Sequence, residues 1–124
     1  MIKRIILIMA LTLCSIAGMQ AQKISHIETT RSWHYVYDEN GKKVHTFSTT
    51  QGKVVAYSEN FYIVQHGSWY YTYTARGKRL HTFAVSTVGD VLHAIGDNFT
   101  SKKGGWVYTW DKNGKKIRKQ AANH

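Results

Sequence analysis

The chain has no proline and one cysteine, Cys14, so two common ways of fixing a small fold are missing. Small exported domains often use disulfides to compensate for a thin core, and a domain that cannot form one depends on packing. Without proline, glycine and asparagine are left to make the turns. The four Trp, eight Tyr and four Phe residues, all beyond residue 30, supply the large apolar groups for such a core.

Acidic residues are scarce, with seven Asp and Glu against seventeen Lys and Arg. No pair of carboxylates recurs in a way that suggests acid and base roles. The sequence has no G-x-S-x-G nucleophile elbow, and no glycine loop precedes a helix that would bind phosphate. These absences predict a protein that is not an enzyme and that uses no cofactor and no metal.

The first 21 residues have the three parts of a secretory signal. Two basic residues precede an apolar run over residues 5–13, and small or polar residues follow up to Ala21. Removal of this segment would leave a single β-repeat domain over residues 22–124, without a transmembrane segment and exported to the periplasm or the extracellular space. Lipid attachment at Cys14 is the alternative form of processing.

The mature chain would be strongly basic. Without Lys3 and Arg4 it keeps fifteen basic against seven acidic side chains, a net charge near +8. Such a surface favours polyanions. The alternative is that lysines after tight turns only keep strand edges soluble and unpaired. The lysines in those places are Lys42, Lys43, Lys78, Lys115 and Lys116.

An aromatic segment ending in a glycine and two basic residues occurs three times. It begins at Trp33, Trp69 and Trp106, which are 36 and 37 residues apart. Apolar residues alternate in short runs between glycines, which is typical of strands. The pattern predicts an all-β fold, an antiparallel meander of about eleven short strands in three pseudo-repeats. We expect it to curl into a barrel-like or sandwich-like body, with a β-trefoil as the alternative.

The hairpin turn of each repeat predicts a register. A type I turn with a glycine bulge requires positive φ only at Gly41, Gly77 and Gly114, whereas a two-residue turn would force Arg76 to positive φ. This turn places Tyr37 opposite Lys43 and Tyr73 opposite Arg79. Continued along the strands, it predicts the pairs Trp33 with Phe47, Tyr35 with His45, Val36 with Val44, Trp69 with Phe83, Tyr71 with His81, Trp106 with Gln120, and Tyr108 with Arg118.

One face of each hairpin is thus an aromatic ladder with a basic end. Such rings could stack on sugars and a nearby cation could hold an anion, but a cysteine-free domain also needs these rings as its core. We assign the three repeat tryptophans to the core. The predicted binding residues are those near the turn or on the other face: Tyr37, Tyr70, Tyr73, Lys43, Arg79 and Lys116.

Two histidines, His45 and His81, stand at equivalent places in the repeats. They could approach each other across neighbouring units and bind a metal ion. No third ligand follows at a fixed spacing, however, so we interpret them as structural histidines facing tyrosines.

The W-x-Y-x-Y-D-x-x-G-K-K unit resembles small secreted repeat proteins of unknown function from Gram-negative anaerobes. The resemblance covers most of residues 22–120 and implies export and a β meander without an assigned activity. Tyr37-Asp38 and Trp110-Asp111 are similar to the YD repeats of bacterial surface proteins. The segment from Gly67 to Tyr71 is similar to choline-binding cell-wall repeats, whose period and pocket residues are not matched.

Together these features predict an exported, non-enzymatic protein with a binding or envelope-associated role. The expected ligand is a glycan or another envelope polyanion that meets a basic aromatic surface, and nucleic acid is not the expected partner. The alternative is a structural or protein-interaction module that adds a partner's strand to its own sheet edges.

Overall fold

The computed structural model describes residues 22–122, which fold into eleven short strands. The predicted secretory signal and Cys14 lie outside the described residues. The predicted all-β class and the number of strands are confirmed. The strands are β1 (Ile24–Thr29), β2 (Trp33–Asp38), β3 (Lys43–Ser48), β4 (Lys53–Tyr57), β5 (Tyr62–His66), β6 (Trp69–Tyr73), β7 (Arg79–Ala84), β8 (Asp90–Ile95), β9 (Asn98–Lys103), β10 (Trp106–Asp111) and β11 (Lys116–Ala121).

The strands form three separate antiparallel sheets, each a simple meander. The first sheet has the order β1-β2-β3, the middle sheet β4-β5-β6-β7, and the third sheet β8-β9-β10-β11. None of these sheets closes into a barrel within residues 22–122, so the arrangement is sandwich-like. Among residues 22–122 the first sheet has one strand fewer than the others. Its β1 takes the place that β5 and β9 hold, directly before the tryptophan hairpin.

The three hairpin turns have the predicted bulged form. Positive φ occurs at Gly41, Gly77 and Gly114, and at none of the described non-glycine residues. In the first turn, the Gly41 amide donates to the Asp38 carbonyl at 3.0 Å, and the Asp38 amide donates to the Lys42 carbonyl at 2.9 Å. The turn therefore fixes the first pair beyond it, and Tyr37 lies opposite Lys43 as predicted.

The predicted register is wrong beyond that first pair. A β-bulge at Val44 inserts one extra residue, and equivalent bulges occur at Leu80 and Ile117. A shift by one residue moves every later side chain to a different partner. The observed pairs include Trp33 with Ser48, His34 with Phe47, Tyr35 with Thr46, Val36 with His45, Trp69 with Ala84, Tyr71 with Thr82, Thr72 with His81, Trp106 with Ala121, and Tyr108 with Lys119.

The sheets stack in three layers around two apolar cores. One core lies between the first and middle sheets and contains Val36, Phe47, Tyr62 and Val64. The other lies between the middle and third sheets and contains Phe61, Ile63, Tyr70, Phe83, Val88, Phe99 and Trp110. Strand β5 contributes alternate residues to both cores, so the middle sheet is covered on both faces.

The connections between sheets are short helical turns that end at glycines. Thr49–Gln51 is a single 3-10 turn before Gly52, and Val85–Val88 is a single α-helical turn before Gly89. Gly52 has a φ of 133°, and a Cβ there would overlap the Val64 side chain. The glycine is needed because the connection passes directly over the next sheet.

Two buried polar side chains hold these connections in place. His34 and Tyr70 occupy equivalent positions in β2 and β6. The Nε2 atom of His34 lies 2.8 Å from the Gly52 carbonyl oxygen, and the Tyr70 hydroxyl donates to the Gly89 carbonyl at 2.7 Å. The equivalent residue in β10 is the apolar Val107, in the sheet that has no following sheet among the described residues.

Candidate functional site

The repeat tryptophans are at the surface, which corrects their assignment to the core. Trp33 and Trp69 are each 47% exposed, and Trp106 is 43% exposed. The bulge explains the error, because it brings the buried Phe47 opposite His34 and not opposite Trp33. Phe61, Tyr62 and Phe99 form the centre of the cores, with exposures of at most 1%.

Each sheet carries the same exposed arrangement of a tryptophan, a tyrosine and a cation. We call this arrangement the Trp–Tyr–cation cluster. The tyrosine is two residues after the tryptophan on the same strand face, and the cation follows the hairpin turn. The charged group lies over the tyrosine ring, at 4.7 Å from its centroid for Lys43 on Tyr35, 4.8 Å for Arg79 on Tyr71, and 5.4 Å for Lys116 on Tyr108.

The third cluster has a second cation. The Lys119 ammonium lies 4.3 Å from the Trp106 ring centroid and 6.0 Å from that of Tyr108. Lys103 is paired with Trp106 on the neighbouring strand, so three lysines border these two rings. The third cluster is therefore the most basic of the three. An exposed cation–π contact is worth only about 0.5–1 kcal/mol, so these lysines can leave the rings to meet an anion.

The predicted binding residues divide into two groups. Lys43, Arg79 and Lys116 are exposed members of the Trp–Tyr–cation clusters. Tyr70 is only 3% exposed, so its expected place at the surface is wrong; it belongs to the core between the middle and third sheets. Tyr73 is half-buried and stacks on Tyr62 with ring centroids 5.2 Å apart.

Tyr37 is half-buried on the outer face of the first sheet. Its ring stacks on His26 with centroids 4.7 Å apart and planes 10° apart. Partial burial and the nearby Glu28 carboxylate raise the pKa of Tyr37, so the phenol stays neutral. Together with Trp33 and Tyr35, it forms an aromatic strip on the face of the first sheet that no other sheet of the described residues covers.

A small cleft lies beside the cluster of the middle sheet. It is lined by Tyr71, Tyr73 and Arg79 together with Thr50, Gln51 and His66, and has a volume of about 280 Å³. Its lining combines aromatic rings, hydroxyls and one guanidinium. Aromatic rings can stack on a sugar ring, and a guanidinium can pair with an acidic group.

A polar chain of contacts crosses all three sheets at their turn ends. Lys23 donates to the Asn60 side-chain oxygen at 2.8 Å, and the Asn60 amide donates to Asp97 at 2.8 Å. Lys112 donates to the same Asp97 oxygen at 2.7 Å, and these contacts hold the pKa of Asp97 below its usual value. This series of contacts connects the three sheets.

The two repeat histidines have packing roles. A Cβ on Gly77 would overlap the His45 ring, and a Cβ on Gly114 would overlap the His81 ring. Each histidine thus lies on the hairpin turn of the next sheet. They face Val36 and Thr72, so their expected pairing with tyrosines is wrong. In residues 22–122, no group of three or more His, Cys, Asp or Glu is placed to hold a metal ion.

The exposed tryptophans, their partner tyrosines and Lys119 were not predicted as surface residues. A signal for them exists in β2, where His34, Val36 and Asp38 alternate with the aromatic residues. The buried Val36 shows that this face of β2 lies in the core, which leaves the aromatic residues on the other face. His34 and Asp38 can lie on the buried face because each forms hydrogen bonds with backbone groups. The Asp38 carboxylate accepts hydrogen bonds from the amides of Asn40 and Lys42, each at 2.9 Å.

Comparison with known proteins gives no relative from which a function could be transferred. No protein-family model matches the chain, and no match is found among curated proteins. The described part of the chain contains no helix of the length and apolarity needed to cross a membrane. The function must therefore be argued from the site itself.

Proposed function

We propose that the chain is an exported, non-enzymatic binding protein whose ligand is an anionic glycan or another polyanion of the cell envelope. The observation that carries this proposal is the Trp–Tyr–cation cluster, which has an exposed tryptophan and a cation over the tyrosine ring in each sheet. Aromatic faces suit sugar rings, and lysine or arginine suits carboxylates and sulfates.

The charge balance supports an anionic ligand over a neutral one. Seven of the fifteen basic residues after residue 21 lie between residues 102 and 119, where Asp111 is the only acidic residue. This stretch holds the third cluster. Clustered positive charge raises the local concentration of polyanions, an effect that salt screens.

Export and a periplasmic or extracellular location are part of this proposal. They rest on the sequence of residues 1–21, with lipid attachment at Cys14 as the alternative. Fractionation of cells that express the tagged chain tests them, since mature protein that begins at Gln22 is expected in the periplasm or the medium. Full-length protein that remains in the cytoplasm would contradict export.

The ligand proposal is tested with dextran sulfate and polygalacturonate as probes and neutral dextran as the comparison. Titration calorimetry should show binding of the anionic polymers at low salt, weaker binding at high salt, and none for neutral dextran. The double variant Lys116→Gln/Lys119→Gln should lower the affinity about two- to thirtyfold, since each exposed charge pair contributes on the order of 0.2–1 kcal/mol.

The matched control removes the same charge from lysines outside the clusters. Lys42 and Lys53 are exposed, and no cation–π contact involves them among the described residues. Lys42→Gln/Lys53→Gln should leave most of the affinity intact. Equal losses in both double variants would mean that net charge alone binds the polymer, and the absence of binding at low salt would overturn the proposal.

The second candidate is a protein-interaction module that uses a free strand edge. Strand β11 favours it, because all six of its residues are exposed and it lies at the edge of the third sheet. Lysine or arginine occupies three of those six positions, a composition that discourages strand pairing. Binding of an extended peptide to β11, detected by protection of its amides from hydrogen exchange, would favour this candidate.

A further inference from the structure

The chain makes one kind of sheet-on-sheet interface twice. We call the face that bears the repeat tryptophan the ladder face of each sheet, and the other its opposite face. In both interfaces, the ladder face of the later sheet lies on the opposite face of the earlier one. The same contact recurs in both, since His45 packs on Gly77 and His81 packs on Gly114.

Two faces remain without a sheet against them in residues 22–122. One is the ladder face of the first sheet, where Tyr37 stands at the position of Tyr73, which packs against the core between the first and middle sheets. The hairpin turn of this sheet is open as well, because a Cβ on Gly41 would meet nothing within 4 Å. The other is the opposite face of the third sheet. These two faces are the two halves of the interface that the chain already makes twice.

The opposite face of the third sheet keeps apolar residues at stacking positions. Ile117 stands where Val44 and Leu80 pack against the following sheets, and it is 50% exposed. Leu92 stands where Val55 packs, and it is 49% exposed. The third sheet thus keeps aliphatic residues at positions that pack against a following sheet in the two interfaces the chain already makes.

Charges on the two free faces are complementary. Lys23, Asn60 and Asp97 are equivalent residues spaced 37 apart, and each contacts the next across a sheet boundary. Continued by one sheet, this series would place Asp97 against Lys23 of another copy. Similarly, Arg118 occupies the position of His45 and His81, which pack on the hairpin turn of the next sheet. The uncovered hairpin turn of the first sheet contains Glu39, two residues before Gly41.

We propose that a second copy of this chain is the partner, docked head to tail. The ladder face of the first sheet of one copy lies on the opposite face of the third sheet of the other, which continues the stack. The centre of this interface is polar, since Gln120 and Thr100 replace Phe83 and Ile63 of the middle sheet. The association is therefore reversible, and its two different faces produce a ring or an open chain.

Sedimentation velocity of the purified protein at low salt tests this proposal. From about 1 μM to about 1 mM, the mean mass should rise with concentration. Tyr37→Glu and Ile117→Glu each place a charge in the interface and should prevent the rise, because Tyr37 stands where Tyr73 packs against the preceding sheet. Neither residue belongs to the core of the single chain. Lys78→Glu, at an exposed turn of the middle sheet, is the matched control and should leave the association within about twofold of the wild type.

A charge swap decides which faces meet. Glu39→Arg and Arg118→Glu should each weaken the association about two- to fivefold, as expected for an exposed charge pair. An equimolar mixture of the two variants should associate more tightly than either alone, because opposite charges then face each other between copies. A monomer up to about 1 mM would overturn the proposal. Loss of association with Tyr37→Glu but not with Ile117→Glu would do the same, since it would indicate two ladder faces packed together.

Discussion

At the scale of single residues, Gly41 and Gly77 share a backbone conformation but differ in surroundings. Both close bulged turns, with φ of 78° and 88°. An alanine at either position carries the cost of positive φ, about 1–2 kcal/mol. At Gly77 its Cβ would also overlap the His45 ring, while at Gly41 it meets open space. We expect Gly77→Ala to lower the free energy of unfolding in urea by about 1–3 kcal/mol more than Gly41→Ala.

The excess cost of Gly77→Ala should disappear when the ring is removed. In a His45→Ala background, the cost of Gly77→Ala should fall to that of Gly41→Ala, because only the backbone strain remains. Equal costs in the wild-type background would show that the His45 ring can move away from the turn without loss, and would contradict the packing role of this histidine.

The same histidine gives the fold a pH dependence. Burial lowers the pKa of the His45 imidazole below its ordinary value of 6.5. The unfolded chain then takes up a proton at higher pH than the folded chain does. The stabilisation from neutral His45 is therefore full above pH 6.5 and is lost as the pH falls through the folded-state pKa. NMR titration should give a midpoint below 6.5.

A His45→Asn variant provides the control for this pH effect. Its unfolding free energy should fall less between pH 7.5 and pH 5 than that of the wild type, because asparagine does not titrate. An equal fall in both proteins would assign the pH dependence to other groups. The contact joins the first and middle sheets, so acidification should loosen this boundary.

At the scale of strands and sheets, apolar stabilisation lies in the buried phenylalanines and not in the repeat tryptophans. Phe61 is fully buried between the middle and third sheets, whereas Trp69 is 47% exposed on the same sheet. We expect Phe61→Ala to cost about 3–5 kcal/mol of unfolding free energy. Trp69→Ala should cost less than about 1.5 kcal/mol, since much of its surface already contacts water.

Chemical denaturation of Phe61→Ala and Trp69→Ala measures the two losses of unfolding free energy. Trp106→Ala is included as a second exposed tryptophan. A loss at Trp69 comparable to that at Phe61 would show that the Trp–Tyr–cation clusters are part of the core. A small loss at both tryptophans would leave these rings free for a ligand.

The strands could be predicted from the sequence because alternation and glycine turns are local signals. The number of strands agrees with the prediction, and positive φ falls on the predicted turn glycines. The faces could not be predicted, because the bulges at Val44, Leu80 and Ile117 lie one residue inside the strand. Such a bulge depends on the apolar residue packing against the next sheet, which is a long-range contact.

The sequence predicted only part of the candidate site, because the turn fixes the places of residues up to each bulge and not beyond it. Lys43, Arg79 and Lys116 precede the bulge, so the turn alone fixes their place beside the aromatic strand. Tyr70 is buried because it lies beyond the bulge, opposite Phe83. Its hydroxyl finds the Gly89 carbonyl, a partner in the connection to the third sheet that the local pattern does not specify.

At the scale of the whole molecule, the stacking order predicts a gradient of local stability. The middle sheet is covered on both faces, and Phe61, Tyr62, Ile63 and Val64 at the start of β5 and just before it are at most 1% exposed. Strand β11 is an edge strand with six exposed residues, and it pairs only with β10. Backbone amide hydrogens exchange slowly where opening their hydrogen bonds requires the loss of packed neighbours on both sides.

Hydrogen exchange followed by mass spectrometry should therefore find the slowest amides in β5 and β6 and the fastest strand amides in β11. The protection of β1 should be intermediate, because β1 pairs with β2 but has a free edge where the other sheets have β4 and β8. The experiment is best run at low protein concentration, where copies of the chain are separate. Protection of β11 equal to that of β5 under these conditions would contradict the layered order, because it would require cover on the opposite face of the third sheet within a single chain.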